Sequence, residues 1–336
     1  MATERNGLTR SFARHNPVGP DYRTVFLARA EGARLWAADG RMIVDLSCGA
    51  VSPLGHDSPF LREWIAGASL TSVPAGCEVP DRQELRAKLA EIVPGGANRR
   101  VRLCGSGREA MAAAVSLACR RTGRSRVAWV AELGDDEVGG IDDVAAVVVH
   151  PLDPRLGIAA ERCRAAGAVL VSDETRLAPG LSGSLTGLQG SPVRADLTVF
   201  GQGLAAGMPF GAVVTGSSAL RWPDADTGGT AAACRAALRY LAWLEGGLLD
   251  EAAAVAGRLN AALAELAGDV CCVGLVLAFT PRRPVAGLAS ICLDNGLLVG
   301  SAGDKMLVFE PPLVATADDV RLAVAALQAV LAKATR

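Results

Sequence analysis

Four short, unbroken apolar runs constrain this chain most. They fall at 145–149 (Ala-Ala-Val-Val-Val), 168–172 (Ala-Val-Leu-Val-Ser), 197–200 (Leu-Thr-Val-Phe) and 211–216 (Gly-Ala-Val-Val-Thr-Gly). A half-buried strand alternates apolar and polar residues, because successive side chains face opposite sides of the sheet. Runs without alternation are buried on both faces. That is the signature of parallel strands covered by crossover helices. Further strands are expected at 101–104 and 126–130, and helical periodicity occupies 109–121, 158–166 and 230–244. The succession predicts an α/β fold with a mostly parallel sheet.

The flanks read differently. Residues 33–37 and 42–46, joined by Ala38-Asp39-Gly40, form an expected hairpin. Helices are expected at 58–66 and 81–92, the second with Asp81 as its N-cap and an end near Pro94. Helices at 252–266 and 317–331 enclose short strands at 271–278 and 306–309, the pattern of a small α+β unit. The chain thus divides into an N-terminal arm (1–30), a large α/β domain (31–235) and a small C-terminal α+β domain (236–336).

Composition excludes several classes. No apolar run is long enough to span a bilayer, and residues 1–16 are polar and arginine-bearing, so no secretory signal is expected. A formal net charge of −1 makes no electrostatic case for nucleic acid or an anionic membrane. Nine cysteines are scattered without a Cys-x-x-Cys pair or Cys/His cluster, so no metal site is expected. A reduced, cytoplasmic protein follows. Only three of the 34 basic residues are lysines, Lys88, Lys305 and Lys333, and alanine is abundant, a bias of GC-rich bacterial genomes.

Several positions could carry chemistry. Gly105-Ser106-Gly107 joins a strand to a helix. Glycines let backbone N–H groups approach a phosphate, and a helix N-terminus favours negative charge. The same tripeptide also serves as a plain tight turn. Arg108 would add positive charge. Asp173 ends an apolar strand, on the edge where open α/β sheets bind ligands, although it could simply cap a loop. His150 ends another strand and is a candidate general base, with a packed strand-end histidine as the alternative. Cys48 is a candidate pocket thiol or a buried structural one, and Cys104 reads as core. Thr230 precedes a helix and can cap it.

These segments resemble the class III aminotransferases, the group that includes glutamate-1-semialdehyde aminomutase. Ser106-Gly107-Arg108-Glu109-Ala110 with Thr122-Gly123-Arg124 is similar to the family's phosphate loop and helix end. Asp173-Glu174 is similar to the aspartate that pairs with the pyridine nitrogen of pyridoxal phosphate (PLP). Gly229-Thr230 is similar to a segment whose threonine reaches the partner subunit's phosphate. Val44-Asp45-Leu46, Leu54-Gly55-His56 and Glu310-Pro311-Pro312 follow the family order. The resemblance implies PLP fold type I, a homodimer, and cofactor contacts from Gly105, Ser106, Gly107, Arg108, Asp173 and Thr230.

The departures from the family are equally ordered. The Schiff-base lysine position is Gln202, whose amide cannot form an aldimine. The ring-stacking aromatic segment is replaced by 131–142, which holds no aromatic residue. The family's Glu-Pro is His150-Pro151, and its apolar residue after Asp-Glu is Thr175. The leading expectation is a repurposed small-molecule biosynthetic enzyme without an internal aldimine. It would hold PLP or pyridoxamine phosphate (PMP) non-covalently or use no cofactor, with His150, Cys48 and Gln202 as candidate catalytic residues and an amino-acid-derived substrate. The alternative is a catalytically inactive homologue that binds or stabilises a partner. A genuine transaminase would need Lys305 or a partner subunit's residue to substitute.

Overall fold

The computed structural model describes residues 25–68, 77–96, 98–132, 141–216, 222, 226–266, 268–283, 285–303 and 306–334. Its centre is a six-stranded sheet formed by β4 (Val101–Cys104), β5 (Arg126–Trp129), β6 (Val144–Val149), β7 (Val169–Glu174), β8 (Leu197–Phe200) and β9 (Gly211–Thr215). The strand order is β4-β9-β8-β7-β6-β5. β5, β6, β7 and β8 run parallel, each to its neighbour. β9 is antiparallel to both β8 and β4. The run at 211–216 was expected to be parallel with the others. The chain between Phe200 and Gly211 is too short for a crossover helix, so it returns as an antiparallel neighbour.

Every residue of β6, β8 and β9 is buried, which is why these runs do not alternate. On one face the helix Gly107–Thr122 packs Ala110, Ala114, Leu117 and Ala118 against Val148, Val171, Val199 and Val213. On the other, Leu156, Ala159 and Cys163 of the helix Leu156–Ala166 pack on Val147, Val149 and Leu170. Farther along that face the helix Ala231–Trp243 contributes Ala233, Cys234, Ala237 and Tyr240 to the largest core cluster, together with Leu103, Phe200 and Val214. Small side chains let this helix lie close to the helix Pro80–Ile92 and to the turn Gln202–Ala205. Burying one Leu-sized side chain this way is worth about 1.5–3 kcal/mol.

Two further sheets flank the large one. β1 (Leu27–Glu31), β2 (Arg34–Ala37) and β3 (Met42–Asp45) form a meander, and β12 (Leu297–Leu298) pairs in parallel with β3. The end of the expected arm is therefore strand, and residues 27–45 share a sheet with the C-terminal region. Arg34 adds ion pairs to Asp319 (2.6 Å) and Asp318 (2.7 Å) on the terminal helix Ala317–Ala334. The second sheet is β10 (Gly268–Val273), β11 (Val276–Pro281), β14 (Met306–Phe309) and β13 (Gly300–Ala302). The single strand expected at 271–278 is thus a hairpin, turned at Gly274 with φ +61°.

The remaining helices are Pro59–Ile65, Pro80–Ile92, Leu249–Ala264 and Leu288–Asp294. Asp81 does not cap its helix. Val79 occupies the cap position, and Asp81 sits in the first turn, where it pairs with Arg235 at 3.2 Å. A kink at Gly247, φ +121°, separates the helix Ala231–Trp243 from the helix Leu249–Ala264. Among the described residues no helix is long and apolar enough to cross a membrane.

Candidate active site

The carboxyl edge of β6, β7 and β8 gathers most of the residues singled out in the sequence. His150 follows β6, Asp173 lies at the end of β7, and Gln202 follows β8 by one intervening glycine. Gly105-Ser106-Gly107 leaves the end of β4 close by. Backbones touch here because side chains are missing. A Cβ on Gly107 would stand 3.0 Å from Gly201 Cα, one on Gly211 2.2 Å from Ser106 O, and one on Gly228 2.2 Å from Gly105 N. The glycines at 105–107 are thus part of a glycine-packed junction between β4, β8, β9 and the segment before Thr230.

The expected phosphate loop carries a helix-capping pair. Ser106 caps its helix by accepting from Glu109 N at 3.2 Å, while Glu109 Oε2 accepts from Gly105 N at 2.8 Å. This reciprocal pairing satisfies Gly105 N and Glu109 N. Arg108 is exposed on the first turn. Thr230 caps the helix Ala231–Trp243, its hydroxyl accepting from Ala233 N at 3.2 Å. Behind the loop, Asp226 accepts from Arg82 at 2.6 Å, from Arg86, and from Leu103 N at 2.9 Å. It fastens β4 to the segment that leads into Thr230.

Asp173 is half-buried. Its Oδ1 accepts from Thr175 N at 2.9 Å and from the Thr175 hydroxyl at 2.6 Å. Its Oδ2 has no hydrogen-bond partner among the described residues. Next to it, Glu174 is buried and accepts from Gly187 N at 2.8 Å through Oε2, but its Oε1 has no hydrogen-bond partner there. Burial pushes the Glu174 pKa up to about 8, so the group is mostly neutral at pH 7. The alternation of β7 sends Asp173 and Glu174 to opposite faces.

His150 is exposed at its strand end. Its pKa is lowered by burial of its surroundings, against the upward pull of Asp173 and Asp153. Nδ1 accepts from Leu152 N at 3.3 Å, which leaves the neutral ring with its proton on Nε2. In this tautomer the imidazole offers a donor at Nε2. Cys48 is buried, and burial followed by the nearby Asp45 carboxylate holds its thiol well above the ordinary range. Protonated, it is a poor nucleophile. Cys104 is core, as expected, with no measurable exposure.

Gln202 is exposed and opens the turn Gln202–Ala205. That turn presses on the loop after β3, since a Cβ on Gly203 would stand 2.6 Å from Ala50 O. The described lysines are engaged elsewhere: Lys88 with Glu245 (2.7 Å) and Glu91 (3.3 Å), and Lys333 with Asn295 (3.0 Å). Lys305 lies outside the described residues.

Sequence reasoning missed three features of this region. The Glu109–Gly105 closure was detectable, because Ser-x-x-Glu before an apolar helix is a capping-box pattern. The Asp173–Thr175 bond and the buried Glu174 had no local signal, since both depend on where the chain after β7 turns.

Comparison with known proteins agrees with this architecture. The Aminotransferase class-III family profile matches residues 17–131 and 141–331. The acetylornithine aminotransferase of Thermosynechococcus vestitus is 27% identical over 385 residues, covering 92% of this chain and 93% of that protein. The alignment is longer than the 336-residue chain, so the relative carries segments this chain lacks. A putative [LysW]-aminoadipate semialdehyde/glutamate semialdehyde transaminase of Pyrococcus furiosus is 24% identical, covering 91% of this chain and 95% of that protein. The crystal structure of N-acetylornithine aminotransferase from Stenotrophomonas maltophilia superposes with a TM-score of 0.79 at 26% identity, covering 97% of this chain and all of that one. A phospholyase from Arthrobacter in complex with phosphoethanolamine gives 0.81 at 22% identity, covering 97% and 99% of the two chains. With the family profile spanning most of its length and the fold matching throughout, this chain belongs to the class III aminotransferase family.

Proposed function

We propose that this chain is a repurposed class III aminotransferase homologue that acts on an amino-acid-derived small molecule without a covalently attached cofactor. The observation that carries this reading is Gln202, exposed just past β8 at the carboxyl edge, with Lys88 and Lys333 both ion-paired or hydrogen-bonded elsewhere. An amide offers a hydrogen-bond donor and acceptor but no nucleophilic amine.

The residues present suit a non-covalent PLP or PMP better than a linked one. Asp173 Oδ2 is available to a pyridinium proton, and Arg108 with the start of the helix Gly107–Thr122 offers positive potential to a phosphate. When bound, such a ring supplies an electron sink for charge developing on substrate carbon. His150 would then donate through Nε2 to a substrate oxygen, and Gln202 would orient the substrate. A homodimer, with Thr230 facing the partner's site, completes the reading.

A second reading is favoured by a separate observation. Glu109 closes Gly105 N, and Thr175 closes Asp173 Oδ1, so half of the cradle is satisfied without ligand. This supports a non-catalytic homologue that binds a partner or ligand, with no cofactor.

Titrating PLP into the purified protein, with absorbance and borohydride trapping, tests the first reading. Reversible binding without a trapped adduct is expected. A stoichiometric adduct on Lys88, Lys305 or Lys333 would overturn it, and the absence of any binding would favour the cofactor-free branches. Gln202→Lys should turn yellow with PLP if Asp173 and the Gly105–Gly107 loop still form a cradle.

A further inference from the structure

Beside the Gln202 turn, the loop after β3 brings together three metal-ligating side chains from separate positions. Asp45 ends β3, Cys48 lies three residues on, and His56 sits beyond a tight turn. One ligand atom from each lies within 4.8 Å of the other two. His56 Nε2 is 2.9 Å from Asp45 Oδ2. Asp45 Oδ1 is already fixed, accepting from Ser47 N and the Ser47 hydroxyl, both at 2.8 Å. That arrangement orients the carboxylate and leaves Oδ2 facing the imidazole. His56 itself is held by an isolated bridge, its backbone exchanging hydrogen bonds with Gly32 at 2.8 and 2.9 Å. Asp45 and Cys48 are 4% and 6% exposed, and the His56 side chain is 25% exposed, so the cluster is enclosed but reachable from one side.

We propose that Asp45, Cys48 and His56 form a binding site for a divalent cation of the zinc class. Three ligands of types O, S and N suit a borderline-soft ion and exclude calcium or magnesium, which take oxygen ligands. Three protein ligands also leave one tetrahedral position open. The fit needs small movements. Zinc bonds of about 2.0–2.1 Å to nitrogen and oxygen place those atoms roughly 3.3 Å apart, a few tenths of an ångström beyond the present pair. The sulfur needs to close by no more than about 1.3 Å, given zinc–sulfur bonds of about 2.3 Å. On binding, the cation takes the sulfur lone pair, and the Cys48 S–H proton leaves to solvent. The buried neutral thiol becomes a bound thiolate whose charge the cation compensates.

Ser47 acts as a positioning residue, since its hydroxyl holds the ligating carboxylate. The loop also carries Ala50, which abuts the Gln202 turn, so the proposed ligands lie on the segment that borders the candidate active site. The proposal does not depend on whether that site uses PLP.

Cobalt(II) titration of the full-length protein tests it, because cobalt bound to a thiolate gives a charge-transfer band in the near ultraviolet. Wild type should show this band saturating at one equivalent per chain, with zinc displacing the cobalt. Cys48→Ala should abolish the band while circular dichroism stays unchanged. Ser47→Ala should weaken affinity about 10-fold while keeping the band. The exposed pair Cys271 and Cys272 supplies the control: a Cys271→Ser/Cys272→Ser variant should retain the band. A band that survives Cys48→Ala, a band lost in the control, or no stoichiometric band in wild type would each overturn the site.

Discussion

Glu174 makes the stability of this protein depend on pH in a way that a single substitution should erase. Its carboxyl lies inside β7 with one oxygen bonded to Gly187 N and the other without a hydrogen-bond partner among the described residues. Burial raises its pKa from 4.5 to about 8. The folded state therefore holds the proton to higher pH than the unfolded state does. Below about pH 4.5 both states are protonated and the group adds no pH dependence. Between about 4.5 and 8 only the unfolded chain ionises, so stability falls as pH rises. Above about 8 both are ionised and the loss is complete. Each pKa unit is worth about 1.4 kcal/mol, which makes the whole loss about 5 kcal/mol. Glu174→Gln keeps an oxygen for Gly187 N and cannot ionise. Denaturant unfolding of both proteins from pH 5 to 9 should give similar stabilities at pH 5. The variant should be more stable by several kcal/mol at pH 9. Other titrating groups cancel in the difference. A wild-type-minus-variant difference that stays flat across this range would refute the claim that Glu174 is buried with its proton.

Four further outcomes follow from the geometry. Asp226→Ala leaves the buried Arg82 with Glu78 alone and frees Leu103 N, and urea unfolding should show a loss of about 1–3 kcal/mol. Ser106→Ala removes a helix cap and should cost about 1 kcal/mol by the same measurement, with secondary structure intact. Nitrogen NMR should find His150 as the Nε2–H tautomer at pH 7, titrating below 6.5, and an Nδ1–H tautomer would remove its donor role. Sedimentation at micromolar concentration should give a dimer, and a monomer would remove the proposed contact from Thr230 to a partner's site.

The elements were legible where one physical signal dominated. The apolar runs at β6, β7 and β8 marked doubly covered strands, and the structure buries nearly all their residues. The Gly-Ser-Gly junction and Thr230 stand at helix starts, as their residue types demand. The direction of β9 was not legible from its composition, because burial on both faces looks the same in either orientation. Only the length of the preceding connection decides it. At the site, the placement of His150, Asp173 and Gln202 on one sheet edge followed from strand ends alone. Their hydrogen bonds did not, because the N–H of Leu152 and the N–H and hydroxyl of Thr175 take directions set by turns. The cluster of Asp45, Cys48 and His56 was hidden for the same reason. Its spacing matches no metal motif, and it forms only because the turn after Cys48 folds back to bridge Gly32.

The pairing of β3 with β12 has a consequence for biosynthesis. Val44 pairs with Leu297, so about 250 residues must be made before the strand that ends in Asp45 gains its neighbour. At about 5–20 residues per second, a ribosome needs on the order of 10–50 s for that stretch. During this interval β3 offers an unpaired edge to any other nascent strand, the kind of surface that invites intermolecular pairing. The large central sheet can close earlier, since all its strands lie before residue 216. The growing chain thus carries a finished middle and an unfinished beginning, and chaperone dependence should concentrate on its first strands.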